Sequence, residues 1–280
     1  MQIYIKHQLC YTYSQPVFCE PLTLRFRPRD DPRQRLLQHE LRIDPVPAGR
    51  SEYLDLEGNT GTTIWFNEQI QSLSFSATST VETTDSSQFD FLLKPEVLAL
   101  PLVYAPEIES VLQPYRSNAG DSPQAMQLAR EVAVATKLET VPFLVELDDR
   151  IYNTCKQIIR PTGDAWAPDY TLSRREGSCR DLAALFLAAC RSQGLAARLV
   201  SGYNALPDTD QQHHLHAWCE VYLPGGGWRG FDPTCGLTVT NRHVAVAAGL
   251  SPNLIGPAFG TFRSVGADAT MTAEVTVEIH

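Results

Sequence analysis

The sequence predicts an α+β protein built in two regions, and three observations carry that prediction. Short alternating runs fill residues 1–88, helical periodicity takes over from Phe89, and alternating runs return after Gly194. Alternation puts side chains on opposite faces of a strand, whereas repeats of three and four mark one face of a helix. The expected architecture is an all-β, sandwich-like region over 1–88. Residues 89–280 should then pack helices on an antiparallel sheet.

Each element follows from local chemistry. "IYIKHQLCYTY", "PLTLRFRPR", "LLQHELRIDP", "SEYLDLEG", "TTIWFNE" and "QSLSFSATSTVETT" read as strands, separated by turn formers such as Pro28, Pro45, Gly49, Gly58 and Gly61. "DSPQAMQLAREVAVATK" reads as a helix with Asp121 or Ser122 as N-cap and Pro123 in the first turn. "PFLVELDDRIYNTCKQIIR" follows as a helix whose apolar stripe runs through Leu144, Leu147, Ile151, Cys155 and Ile158. "PTGDAWAPDYTLSRREGS" reads as an irregular connector. A helix from Ser178 to Gln193 buries Leu182, Leu185, Phe186 and Ala189, and Gly194 ends it. "ARLVSGYN" is a strand, "ALPDTDQQHH" a polar loop, and "LHAWCEVYL", "PGGG" and "WRGFDPT" a hairpin. "MTAEVTVEI" alternates and is assigned as a last strand of the second region.

Composition narrows the functional classes. The net charge of −9 disfavours nucleic acid or an anionic membrane as partner. No run approaches the ~18 apolar residues of a membrane span, and "MQIYIKHQLCYTYS" lacks the regions of a signal peptide. A soluble, cytoplasmic protein is the resulting expectation. The seven cysteines are odd in number and scattered, without a CxxC pair, so neither a disulfide framework nor structural zinc is expected. His213, His214 and His216 cluster without a partner of metal-site type, and the "GGG" run is a turn rather than a phosphate loop. No cofactor or metal is expected.

One thiol stands apart. Cys179 opens a helix, where free backbone N–H groups and the positive dipole end favour a thiolate and an oxyanion. A nucleophilic thiol needs a base and a group that orients it. His216 lies on a strand with Trp218 and Glu220 on its face, and Asp232 lies on the other arm of that hairpin, within a few positions of being opposite. Neighbouring strands are ~5 Å apart, close enough for a hydrogen bond. Cys190, 11 positions after Cys179, and Cys155, Cys219 and Cys235 are read as packing.

"GSCRDLAALFLAACRSQGLAARLVSGY" and "HAWCEVYLPGGGWRGFDPTCG" resemble the bacterial transglutaminase-like family, whose members are provisionally described as cysteine proteases. The matching positions are Gly177, Cys179, Asp181 and Ala183, then Arg191, Gly194, Ala197, Arg198, Gly202 and Tyr203. His216, Ala217, Trp218 and Glu220 follow, with Gly230, Asp232, Pro233 and Thr234. The resemblance extends through "NRHVAVAAGL" to the closing strand, and the N-terminal region is similar to the β-rich domain often fused to this core. It implies a papain-like or transglutaminase-like fold with Cys179, His216 and Asp232 as a catalytic triad. Many relatives have Asn after "DPT", where this chain has Cys235. Trp166 and Gln157, upstream of Cys179, are the candidates for a second oxyanion donor.

The implied activity is thiol-dependent amide chemistry on a protein or peptide, through a Cys179 thioester. Hydrolysis, as in a peptidase or amidase, is the expected fate. Acyl transfer to an amine, as in a protein-glutamine gamma-glutamyltransferase, is the alternative. A non-catalytic binding module on the same fold is the alternative of another class.

Overall fold

The computed structural model describes residues 1–84, 89–117, 122–205 and 213–280. Six strands come first: β1 (Gln2–Cys19), β2 (Leu22–Leu24), β3 (Gln34–Asp44), β4 (Gly49–Leu54), β5 (Thr60–Trp65) and β6 (Ile70–Thr83). Helices α1 (Pro106–Arg116), α2 (Pro123–Ala135) and α3 (Thr140–Thr154) follow. Then come β7 (Lys156–Gln157), α4 (Pro168–Arg174), β8 (Glu176–Gly177) and α5 (Cys179–Ser192). The second sheet region holds β9 (Ala197–Asn204), β10 (His216–Leu223), β11 (Gly227–Asp232), β12 (Leu237–Thr238) and β13 (His243–Gly249). The chain closes with β14 (Ala258–Phe259), β15 (Phe262–Arg263) and β16 (Ala269–Ile279).

The α+β class is as expected, with antiparallel sheets in both regions. In the first region, β1 is flanked by β6 and by β16 and β15, with β3 outside β6, while β14, β2, β5 and β4 form a second sheet. Leu9, Leu73 and Phe75 from one sheet meet Leu24 and Ile64 from the other in a single apolar core. The closing strand corrects the expectation. It pairs with β1 from Ile3↔Ile279 to Tyr13↔Ala269, so it completes the first region's sheet rather than the second's. Its alternation specifies a strand but not which sheet edge it joins, and the division at residue 88 is crossed by the chain's return.

Helix boundaries show two further differences. α3 ends at Thr154, Cys155 is already extended (φ −116°, ψ 122°), and Ile158 lies beyond the helix. There β7 runs parallel to β8, with Gln157 opposite Gly177. The connector is also not wholly irregular, because α4 forms within it, with Pro168 in its first turn. The carboxylate of its Asp169 accepts the N–H groups of Gln124 and Ala125, capping α2 from outside. A helix this short leaves too few turns for periodicity to reveal. Asp121 lies outside the described residues, and Ser122 occupies the N-cap of α2.

The second core joins the helices to the sheet ordered β12-β11-β10-β9-β13. α5 is its axis: Leu182, Leu185, Phe186, Ala189 and Cys190 are fully buried against Cys219 and Val221 of β10 and Phe231 of β11. Gly194, at φ 78°, takes the left-handed turn that ends α5.

The two regions share a third core, in which Ile3, Ile5, Val81 and Val277 meet Tyr203, Val244 and Val246. Side-chain amides extend it by copying a strand. The Gln34 amide donates to the Ala245 carbonyl at 2.9 Å and accepts the Ala245 N–H at 2.7 Å. Asn59 repeats this exchange with Ala248 at 2.7 and 2.8 Å. The outer edge of β13 is thus satisfied by the N-terminal region, which fixes that strand where the site lies.

Candidate active site

Cys179 is the first residue of α5, half-buried, with Sγ 4.0 Å from the carbonyl oxygen of Leu215. The turn before it is held by Asp181, which is fully buried. Its carboxylate accepts the N–H and hydroxyl of Ser178, both at 2.7 Å, and the backbone N–H of Trp166 at 2.8 Å. Arg160 adds two bonds at 2.6 and 2.7 Å, and its guanidinium lies 4.1 Å over the Trp166 ring. Burial alone would raise the Asp181 carboxyl, but Arg160, Trp166 and Ser178 together hold it below the ordinary range. The sequence places an acid three residues after an N-cap serine, and the fold makes it the clamp that sets the backbone of Cys179.

His216 and Asp232 are brought together. The hairpin pairs Cys219 with Phe231 and Leu223 with Gly227, a register that sets Asp232 diagonally across from His216, within the few positions expected. His216 Nε2 donates to Asp232 Oδ2 at 2.7 Å. The Thr234 hydroxyl also lies 3.4 Å from Nε2, so Nδ1 is the nitrogen able to take a proton from the Cys179 thiol, a further hydrogen-bond partner of this imidazole. Burial disfavours the imidazolium, but the charge and hydrogen bond of Asp232, with the Cys179 thiol, raise its pKa well above the ordinary value.

Asp232 has no exposed surface. Oδ1 accepts the N–H and hydroxyl of Thr234 at 3.1 and 2.6 Å. Oδ2 accepts from His216 and also from His243, whose Nε2 lies 3.1 Å away. Burial would raise this carboxyl, yet the two histidines hold it far below the usual range, so it stays ionised. Trp218 walls the group, its indole 5.4 Å from the His243 ring and 6.2 Å from that of His216. It reaches there because Gly202 has no side chain: a Cβ would meet the Val244 carbonyl oxygen at 2.0 Å and the indole at 2.8 Å.

Among the described residues, the group with metal-ligand character is His216, Asp232 and His243, rather than the run of His213, His214 and His216. The hydrogen-bond pattern does not suit a cation. Thr240 N–H donates to His243 Nδ1 at 3.1 Å, so Nε2 carries the proton and turns it, not a lone pair, toward Asp232. His213 instead forms a bridge with Val275.

Cys19, Cys155, Cys190 and Cys219 are buried, whereas Cys10 is exposed and Cys235 is half-buried beside Asp232 rather than a packing group. Cys190 and Cys219 are fully buried, and burial pushes both thiols up. Cys235 lies 3.5 Å from Asp232 Oδ2, and burial with that charge pushes it up to about 11. Of the two oxyanion candidates, Trp166 uses its backbone N–H on Asp181, while Gln157 is exposed on β7 beside Gly177. Sequence reasoning missed His243. It opens an apolar strand that pairs with β9, so hairpin logic has no route from it to Asp232.

Residues 3–82 match the bacterial transglutaminase-like N-terminal region, and residues 127–233 match the transglutaminase-like superfamily. An uncharacterized protein of Mycobacterium tuberculosis is 30% identical over 266 residues, covering 88% of this chain and 82% of that one. A protein-glutamine gamma-glutamyltransferase of Pseudomonas aeruginosa is 31% identical over 80 residues, 26% of this chain and 12% of its own. The solved structure of a protein from Cytophaga hutchinsonii, provisionally named a cysteine protease, superimposes with a TM-score of 0.75. It is 22% identical, and the match covers 100% of this chain and 91% of that one, a likeness of fold.

Proposed function

The chain belongs to the transglutaminase-like superfamily, and from that premise we propose that it is a cysteine peptidase or amidase acting through a Cys179 thioester. The observation that carries this reading is the His216–Asp232 contact at 2.7 Å, beside a thiol on the first turn of α5.

Cys179 Sγ attacks an amide carbonyl while its proton passes to His216 Nδ1. Asp232 holds the imidazole through Nε2 and offsets the positive charge that forms. The oxyanion develops at the N-terminus of α5, the end of a helix where backbone N–H groups point outward. His216 then returns the proton to the departing amine, leaving the acyl group on sulfur. In the second half, His216 takes a proton from water, which attacks the thioester and frees Cys179.

Water is favoured over an amine as acceptor by the connector that flanks Cys179. Pro161 to Asp164 are exposed, and Trp166, its main large apolar group, is packed on Arg160 and Tyr170. An amine at millimolar concentration competes with ~55 M water only where water is excluded.

The test incubates native protein and Cys179→Ser with a peptide pool containing glutamine, with and without millimolar primary amine, and weighs the products. Cys179-dependent free acids or cleaved peptides are expected. Predominant amine adducts would make transfer the reaction. No Cys179-dependent product across diverse pools would favour the non-catalytic binding module.

A further inference from the structure

We propose that His243 is a positioning residue for this chemistry, holding Asp232 Oδ2 in line with His216. The inference rests on the reading of Cys179, His216 and Asp232 given above. His243 is 5% exposed and opens β13 on the far side of β9 from β10. Its ring is fixed from both ends. Thr240 N–H donates to Nδ1 at 3.1 Å, and Nε2 donates to Asp232 Oδ2 at 3.1 Å. A carboxylate oxygen held by one donor can swing about its Cβ–Cγ bond. Thr234 holds Oδ1 through its N–H and hydroxyl. On Oδ2 the His243 N–H is the strong donor beside the weak Cys235 thiol at 3.5 Å, so the plane of Asp232 is set before His216 binds to it.

The ring is itself held by a built edge. β13 pairs with β9 on one side, from His243↔Asn204 onward, and Gln34 and Asn59 satisfy Ala245 and Ala248 on the other. The N-terminal region therefore reaches the reacting imidazole through one strand, one histidine and one carboxylate. Other titratable groups bearing on the cluster are Cys179 through His216, Cys235 beside Asp232, and Asp148 of α3, whose ionisation is disfavoured by burial and the like charge of Asp232.

The test separates this role from a purely structural one. Gln carries Nε2 the same number of bonds from Cα as His does, so His243→Gln can keep the donor to Asp232. His243→Asn can keep the acceptor for Thr240 but falls short of Asp232, and His243→Leu loses both. Cys179 alkylation by iodoacetamide is followed against pH in full-length protein, with the site read by peptide mass. In Asn and Leu the acidic midpoint should move up and the rate near pH 6 fall about tenfold, the scale of one charge-assisted hydrogen bond. Gln should recover most of the native rate. An Asn variant at the native rate, a Gln variant as slow as the most impaired variant, or a midpoint that moves down would overturn the inference. Should Leu fail to fold, the Gln and Asn pair decides alone. If native Cys179 is not preferentially alkylated, the proposed function fails first, which keeps the two failures distinct.

Discussion

Replacing Asp232 by Asn removes the charge from the centre of the site while keeping its shape. An amide that keeps the Thr234 bonds on Oδ1 turns its NH₂ toward His216 and His243, both of which donate there in the native protein. His216 can then keep a bond only by accepting on Nε2, which moves its proton to Nδ1, the nitrogen that takes the thiol proton in the proposed mechanism. Breaking a buried ion pair by deleting one charge costs about 3–5 kcal/mol, and each factor of ten is ~1.4 kcal/mol. The thiolate–imidazolium population should therefore fall by roughly two to four orders of magnitude. The assay is the second-order rate of Cys179 alkylation near pH 6, with circular dichroism to show that the fold is intact. A folded Asp232→Asn protein that reacts at the native rate would refute the reasoning and move the orienting role elsewhere.

Arg160→Ala should strip two donors from buried Asp181, lower stability by about 3 kcal/mol, and speed limited proteolysis of the connector between Pro161 and Trp166. Asn59→Leu leaves the N–H and C=O of Ala248 unpaired in the interface, so denaturant unfolding should register a loss of roughly 2–4 kcal/mol. Asp148 is buried with Oδ1 unpartnered, and burial, aided by the charges of Asp232 and Asp149, pushes its carboxyl up to about 8. Between the ordinary carboxyl value and that one, only the unfolded chain gives up the proton, so the residue destabilises the fold increasingly as pH rises. Asp148→Asn should therefore stabilise the protein by up to ~4 kcal/mol at neutral pH and by little near pH 4. Thermal melts at the two pH values check the sign, and an equal gain at both would contradict it.

Much of the site is legible in the sequence because its parts are local. Cys179 is marked by a helix start, and the hairpin of His216 and Asp232 by a glycine turn whose centre brings the two within a few positions of each other, the register itself being set by the structure. The clamp on Asp181 is half legible: its spacing from Ser178 signals a helix start, but Arg160 and Trp166 arrive through a connector with no periodicity. His243 and β16 are illegible for a shared reason. Each is a strand whose partner is distant in sequence, and alternation records burial without naming the neighbour. The helix expected to continue through Ile158 fails differently: apolar residues persist at helical spacing, but the backbone turns to pair with Glu176 and Gly177 instead.

The most direct test of the central claim is a map of thiol reactivity in the native protein. Substoichiometric iodoacetamide is added near pH 6, and the seven cysteines are read by peptide mass. Cys179 should carry most of the label although Cys10 is the more exposed thiol, and His216→Ala should abolish that preference. Label that falls first on Cys10 or Cys235, or a Cys179 rate indifferent to His216, would contradict the account.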